Sequence, residues 1–243
     1  MLNNLKKIAI LFITSYIFNA CSSQQINIAV AANFLTTTQK ICYFFEKKYE
    51  KCIISISSDS TSNLFTKIKN KAPFNIFISA DTKHANILAK SNFYKNRTHT
   101  YAKGYITLSK KQKKIKKQNL KYIKNEKFFT ISNPKLSPYG KSSHNFILNL
   151  KLNHKKIILG PNINHTFNLI NNNTCNIGIN SFSQNIQNKI KKLTYWKIPK
   201  YLHKEIKQKT IIIKENKNKQ NKLFFKKIKN NKIRHIIKTN GYK

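Results

Sequence analysis

From residue 26 onward, short apolar runs alternate with longer stretches in which apolar residues return every three or four positions. INIAVA at 26–31 is a compact run with β-branched residues, as in a buried strand, and Ile41, Phe44, Phe45 and Tyr49 then fall at helical spacing across 36–50. CIISIS at 52–57 predicts a second strand and the hydroxyl-rich stretch 57–62 a turn. Leu64, Phe65 and Ile68 mark one face of a helix over 63–70. FNIFIS at 74–79 predicts a third strand, and 81–90 another helix. This rhythm is that of a parallel sheet, whose right-handed crossovers put the strand-to-helix turns at one edge. Ligands of such sheets bind at that edge.

The second half repeats the pattern. YAKGYITLS at 101–109 predicts a strand, and the Lys- and Gln-rich run 110–124 a solvated helix or loop. There follow a strand over 128–132, a turn over 133–140, a helix over 141–152, a strand over 156–159, a turn over 160–164, a helix over 166–172 and a strand over 176–181. KTIIIK at 209–214 predicts a last strand and 223–237 an amphipathic helix closing at Gly241. Two similar α/β units with a cleft between them fit 243 residues and suffice to close on a small ligand.

A net charge of +40 first suggests nucleic acid, because clustered cations release counterions from phosphate backbones. The distribution argues otherwise. Lysines run evenly from Lys6 to Lys243, and the two arginines, Arg97 and Arg234, leave almost none of the side chain that reads guanine bidentately. No RNA-binding signature or Cys/His finger spacing occurs. An A+T-rich coding sequence, which inflates Lys, Asn and Ile together, accounts for the charge without a partner.

Residues 1–22 read as an export signal: Lys6 and Lys7, an apolar run over 8–18 too short to span a bilayer, then small residues around Cys21. Cleavage after Ser22 leaves a soluble periplasmic product. Lipidation of Cys21 is the alternative, with Phe18 and Asn19 a poor match to the usual lipoprotein pattern. Cys42, Cys52 and Cys175 show no CxxC pair and no metal-ligand spacing. Export makes a Cys42–Cys52 disulfide chemically allowed, but an odd count leaves one thiol over, and buried free cysteine is the commoner case.

Reactive groups are scarce. The seven carboxylates, Glu46, Glu50, Asp59, Asp81, Glu126, Glu205 and Glu215, form no recognisable acid/base pair, and the seven histidines show no HxH or HExxH spacing. Neither a GxSxG elbow nor a GxxxxGK[ST] loop is present. The pattern predicts a protein that binds and releases without chemistry and without a cofactor.

Eight segments, in order, resemble the molybdate-binding periplasmic proteins of ABC importers over nearly the whole chain after the export signal. They are VAANF (30–34), SSDSTSNLFTKIKNKAPFNIFISAD (57–81), YAKGYITLS (101–109), ISNPKLSPYGK (131–141), LGPNINHTFNLI (159–170), NIGINSFSQ (176–184), WKIPKYLHKEIKQKTIIIK (196–214) and NGYK (240–243). The resemblance implies a two-lobed α/β periplasmic binding protein fold of type II, with two crossover strands and the ligand in the interlobe cleft. Its boundaries would be an export signal at 1–22, lobe 1 at 23–103 and 201–243, and lobe 2 at 104–200. It further implies a monomer that hands molybdate or tungstate to an inner-membrane permease, with sulfate or phosphate as alternative ligands.

Matched position by position, the implied ligand contacts fall on Asn33, Ser60, Thr61, Tyr139 and the backbone N–H of Ile163, with molybdenum held as the oxyanion and no side chain bound to the metal. These positions lie in turns that follow a strand and open a helix, where unpaired N–H groups and the positive end of the helix dipole face outward. Asn33, Ser60 and Thr61 are equally good helix caps, a role that draws on the same N–H groups. Glycine is usual in the family where Asp59, Ser62 and Lys71 stand, so a positive φ at 59 or 62 would carry a strain of roughly 1 kcal/mol. Asp59 also brings a carboxylate toward the anion unless it points away. The family commonly has an acid where Asn75 and Pro161 sit and a small apolar residue at Ser181.

Overall fold

The computed structural model describes residues 24–49, 52–91, 98–111, 128–151, 156–188, 193–213 and 219–243. Residues 1–23, which include the expected export signal, and 112–127, which include most of the lysine-rich run, lie outside the described residues. Two five-stranded sheets carry the fold. The first is built from β1 (Gln24–Ala31), β2 (Cys52–Asp59), β3 (Ile76–Ser79), β4 (His99–Gly104) and β10 (Ile206–Ile212), in the order β2-β1-β3-β10-β4. β1 is parallel to β2 and β3, and β10 runs antiparallel to β3 and β4. The second sheet contains β5 (Ile106–Lys111), β6 (Phe129–Ser132), β7 (Ile157–Gly160), β8 (Ile177–Ser181) and β9 (Leu193–Lys197), in the order β7-β6-β8-β5-β9. β6 lies parallel to β7 and β8, and β5 antiparallel to β8 and β9. The two-lobed α/β expectation holds.

Apolar residues on both faces of the parallel strands make this arrangement, because each sheet is covered on two sides. In the first lobe Ile26, Ile28, Val30, Ile76 and Ile78 face α1 (Leu35–Lys48) and two C-terminal helices. Ala29, Phe77 and Ile211 face α2 (Thr61–Lys69) and α3 (Lys83–Lys90). Around the second sheet lie α4 (Pro138–Asn149) and α5 (Ile163–Asn171). Its core takes in Ala31, Ala32 and Ala80 from the first lobe, so apolar packing continues across the cleft.

Several local expectations are corrected. The run YAKGYITLS is two strands: β4 pairs with β10 in one sheet and β5 with β8 and β9 in the other, with Tyr105 between them. Continuous alternation looks like one strand, whereas the pairing partners that split it are distant in sequence. Helices α2, α4 and α5 begin two or three residues earlier than apolar periodicity predicts. Ser60, Ser137 and Asn162 cap them through their side chains, so polar residues occupy their first turns. The turn expected at 57–62 shrinks accordingly, since 57–59 complete β2. The C-terminal helix is two, α7 (Lys219–Lys227) and α8 (Asn231–Thr239), with Asn230 capping the second. Helix α6 (Phe182–Gln187), opened by a capping box between Ser181 and Gln184, and strand β9 escape the pattern reading. The cysteines need no correction: Cys42, Cys52 and Cys175 are buried free thiols, the commoner of the two readings, and the Cys42–Cys52 bond that export would allow is not made. Burial, Glu46 and the neighbouring Cys52 push the Cys42 thiol far above its usual range.

Of the three positions where glycine is usual, one adopts a left-handed conformation. Lys71 has φ 61°, whereas Asp59 and Ser62 have no positive φ. Its N–H donates to the Ile68 carbonyl at 2.9 Å and that of Ala72 to the Lys67 carbonyl at 3.0 Å, closing α2 in a Schellman turn. A side chain in this conformation carries a strain of about 1 kcal/mol that glycine lacks. Lys71→Gly is therefore expected to raise stability by about 0.5–1 kcal/mol, or roughly 1–4 °C in thermal midpoint for a chain of this size. A lowered midpoint in a melting curve would contradict this account of the turn.

Candidate functional site

Four strand-to-helix turns meet where the lobes touch. In the first, β1 runs into a 3-10 turn, Ala32–Phe34, that leads directly into α1; its cap residue, Ala31, offers no side-chain bond. In the second, the Ser60 hydroxyl accepts from Asn63 N–H at 3.3 Å, and Ser62 N–H donates across the cleft to the Leu136 carbonyl at 3.2 Å. Thr61 N–H is left without a partner among the described residues, as helix geometry dictates for a first-turn amide. In the third, the Ser137 hydroxyl accepts from Gly140 N–H at 3.4 Å and Pro138 has no N–H, which leaves that of Tyr139. In the fourth, the Asn162 carboxamide oxygen accepts from Asn164 and His165 N–H, each at 3.0 Å, which leaves that of Ile163. Each capped helix thus keeps one outward donor.

Asn33, Ser60, Thr61, Tyr139 and Ile163 are all at most 3% exposed, although they come from both lobes. Ala31, Ala32, Ala80, Tyr139 and Ile163 share one apolar cluster, and α5 packs against the 3-10 turn. The Thr61 hydroxyl accepts from Ala80 N–H at 3.3 Å, which ties the second turn to the end of β3. The structure therefore brings the sequence-predicted residues to one buried junction. The Asn33 side chain spends its amide donors within the protein: its Nδ2 donates to Gln208 Oε1 at 2.8 Å, with the Tyr139 and Tyr242 hydroxyls each at 3.3 Å.

Asp59 points away from the junction. Its carboxylate accepts from Ser60 N–H at 2.6 Å, Asn63 Nδ2 at 3.2 Å and Lys67 Nζ at 3.1 Å, along the flank of α2. That pairing offsets the repulsion a free carboxylate would exert, at the expense of the Ser60 N–H as a donor. On the cleft's flank a groove of about 240 Å³ opens between the lobes, lined by Asp81, Lys83, Lys141, Glu205 and Lys207 among others. Asp81 holds the His84 ring at 2.7 Å; although burial alone would raise its carboxyl, the His84 and Ser79 contacts together hold it below the usual range.

Sequence reasoning missed the residues that support the site. Gln208, Tyr101 and Tyr242 surround Asn33 and Tyr139. Burial pushes the phenols of Tyr101, Tyr139 and Tyr242 upward, with neighbouring phenols adding to it at Tyr101 and Tyr139, so each keeps its proton at neutral pH. Gln208 lies in KEIKQK, which reads as solvated, and the available clue is alternation, which sets it on the face of Ile206 and Thr210. Tyr242 donates to the Asn33 carbonyl, and Lys103 and Lys243 exchange backbone bonds at 2.7 and 3.1 Å, so the C-terminus is stitched to the first crossover. Gln184 Nε2 donates to the Ile163 carbonyl at 3.1 Å, steadying the fourth turn.

A family model described as "Bacterial extracellular solute-binding protein" matches residues 26–243. The molybdate-binding protein ModA of Azotobacter vinelandii is 29% identical over 239 residues, covering 92% of each chain. ModA of Rhodobacter capsulatus is 24% identical over 220 residues, covering 88% of this chain and 86% of that protein. The solved structure of the Azotobacter vinelandii periplasmic molybdate-binding protein superposes with a TM-score of 0.83 at 27% identity, covering 90% of this chain and 98% of that one.

Proposed function

We propose that this chain, which belongs to the bacterial extracellular solute-binding protein family, captures molybdate in the periplasm and delivers it to the permease of an inner-membrane ABC importer. The observation that carries this is the junction of four helix-opening turns. It offers backbone N–H groups of Thr61, Tyr139 and Ile163, those of the turn at Asn33, and the hydroxyls of Ser60, Thr61 and Tyr139, all buried and none cationic. A tetrahedral dianion has no protons to give. A site of neutral donors, aided by the positive ends of helix dipoles, satisfies its oxygens without a salt bridge.

Lobe 1, at 23–103 and 201–243, and lobe 2, at 104–200, close on the ligand about the two crossovers. Contacts formed only in the closed form shift the population toward it, and the closed surface is what the permease recognises. The protein acts as a monomeric binder without catalysis and without nucleic acid. It is exported by residues 1–22 as a soluble product, with Cys21 lipidation the alternative anchor. Tungstate, nearly equal in size and charge, fits the same donors.

Isothermal titration of the purified mature protein with molybdate, with sulfate and phosphate as competitors at fixed salt, is the test. Saturable 1:1 binding at or below about micromolar concentration, or about −8 kcal/mol, is expected, unaffected by sulfate. Absence of heat with molybdate would end the reading, and preference for sulfate or phosphate would reassign the ligand.

A further inference from the structure

We infer that Gln208 is a positioning residue of the oxyanion site: its amide N–H holds the Tyr139 oxygen as an acceptor, so that the phenolic proton is left for the ligand. This rests on the oxyanion reading of the site. Gln208 is 0% exposed. It sits where the register between β10 and β4 shifts, between Gln208 and Lys209, and such irregularities re-aim side chains. Its two ends are polarised by their neighbours. Oε1 accepts from Asn33 Nδ2 at 2.8 Å and from the Tyr101 hydroxyl at 2.9 Å, while Nε2 donates to the Tyr139 oxygen at 3.2 Å.

Asn33 Nδ2 lies 3.3 Å from the same Tyr139 oxygen, so both of the phenol's side-chain partners are donors. A phenol has one proton and accepts through its oxygen. With its acceptor capacity taken up by two N–H groups, that proton has no acceptor among the described residues, and Tyr139 is 1% exposed at the interlobe junction. A carboxylate at 208 would take the proton instead. An apolar side chain there would leave the hydroxyl free to turn away. Gln208 belongs to lobe 1 and Tyr139 to lobe 2, so this orientation is built by a hydrogen bond between the lobes that is already present without ligand.

The test uses full-length mature protein carrying Gln208→Met, Tyr139→Phe or both, with tyrosine labelled at ¹³Cζ, whose resonance reports hydroxyl hydrogen bonding. Urea unfolding gives stability, and titration with sodium molybdate gives affinity. Gln208→Met is expected to move the Tyr139 Cζ resonance in ligand-free protein and to weaken molybdate binding on the order of tenfold, as for one hydrogen bond to a charged group. In the Tyr139→Phe background the same substitution should weaken binding no further. An unmoved resonance, or an equal loss of affinity with and without the phenol hydroxyl, would overturn the inference in favour of a packing role. If wild-type protein takes up no molybdate, the oxyanion reading fails by itself, and the Cζ resonance still decides whether Gln208 orients the phenol.

Discussion

Replacing Gly104 with alanine is expected to lower oxyanion affinity by about a hundredfold and to destabilise the protein by about 1–3 kcal/mol. A Cβ built at Gly104 would collide with the Tyr139 hydroxyl oxygen and stand 2.9 Å from its ring carbon Cζ and 2.8 Å from Gln208 Nε2. Such separations force movement, and what must move is an aromatic ring packed in the second lobe's core. Gly104 has no left-handed φ, so the reason for glycine here is space, at the last residue of β4 where the chain leaves the first sheet. Displacing the ring takes the phenol away from its two donors and from the ligand, the loss of one or two charge-assisted hydrogen bonds of about 1.5–3 kcal/mol each. Titration and urea unfolding of Gly104→Ala measure the two effects separately. Wild-type affinity in this variant would mean that Tyr139 does not contact the anion.

Removing two hydroxyls, in Thr61→Ala with Tyr139→Phe, is expected to lower affinity by about 10²–10⁴-fold, at roughly 1.5–3 kcal/mol for each hydroxyl donated to a charged group. The substitutions keep the ring and most of the packing volume. Thr61 also accepts from Ala80 N–H, so a stability loss of about 1 kcal/mol accompanies the change. The two contributions come from different lobes. Each single variant should therefore bind measurably and the double variant scarcely at all. Equal affinity in wild type and double variant would sink the site assignment while leaving the fold untouched.

The candidate site was unevenly legible. Asn33, Ser60, Thr61, Tyr139 and Ile163 stand in local patterns, each a polar turn between an apolar run and a helical face, and their resemblance to a family gave them a common purpose. Their supports left no comparable trace. Gln208 is embedded among lysines, Tyr242 is the next-to-last residue, and Gly104 lies in a run that reads as one unbroken strand. All three matter through partners between about 35 and 210 positions away, as in the bonds of Gln208 to Asn33 and Tyr139 and of Tyr242 to Asn33.

Alternation and helical periodicity are properties of neighbouring residues, and from them came the βαβ rhythm, its repetition and the α/β class. The same local chemistry marked which turns open helices. Composition weighed against a nucleic-acid reading, because the charge is spread evenly and is poor in arginine. The direction of the Asp59 carboxylate, however, depends on Lys67 and Asn63 coming beside it once α2 has formed. Strand order, the split of 99–111 between two sheets, and the free state of the thiols depend on which distant surfaces bury one another. Closure of the lobes is the clearest case. Ser62 meeting Leu136 and Gln208 meeting Tyr139 are contacts between the two lobes, and no period within either lobe encodes them.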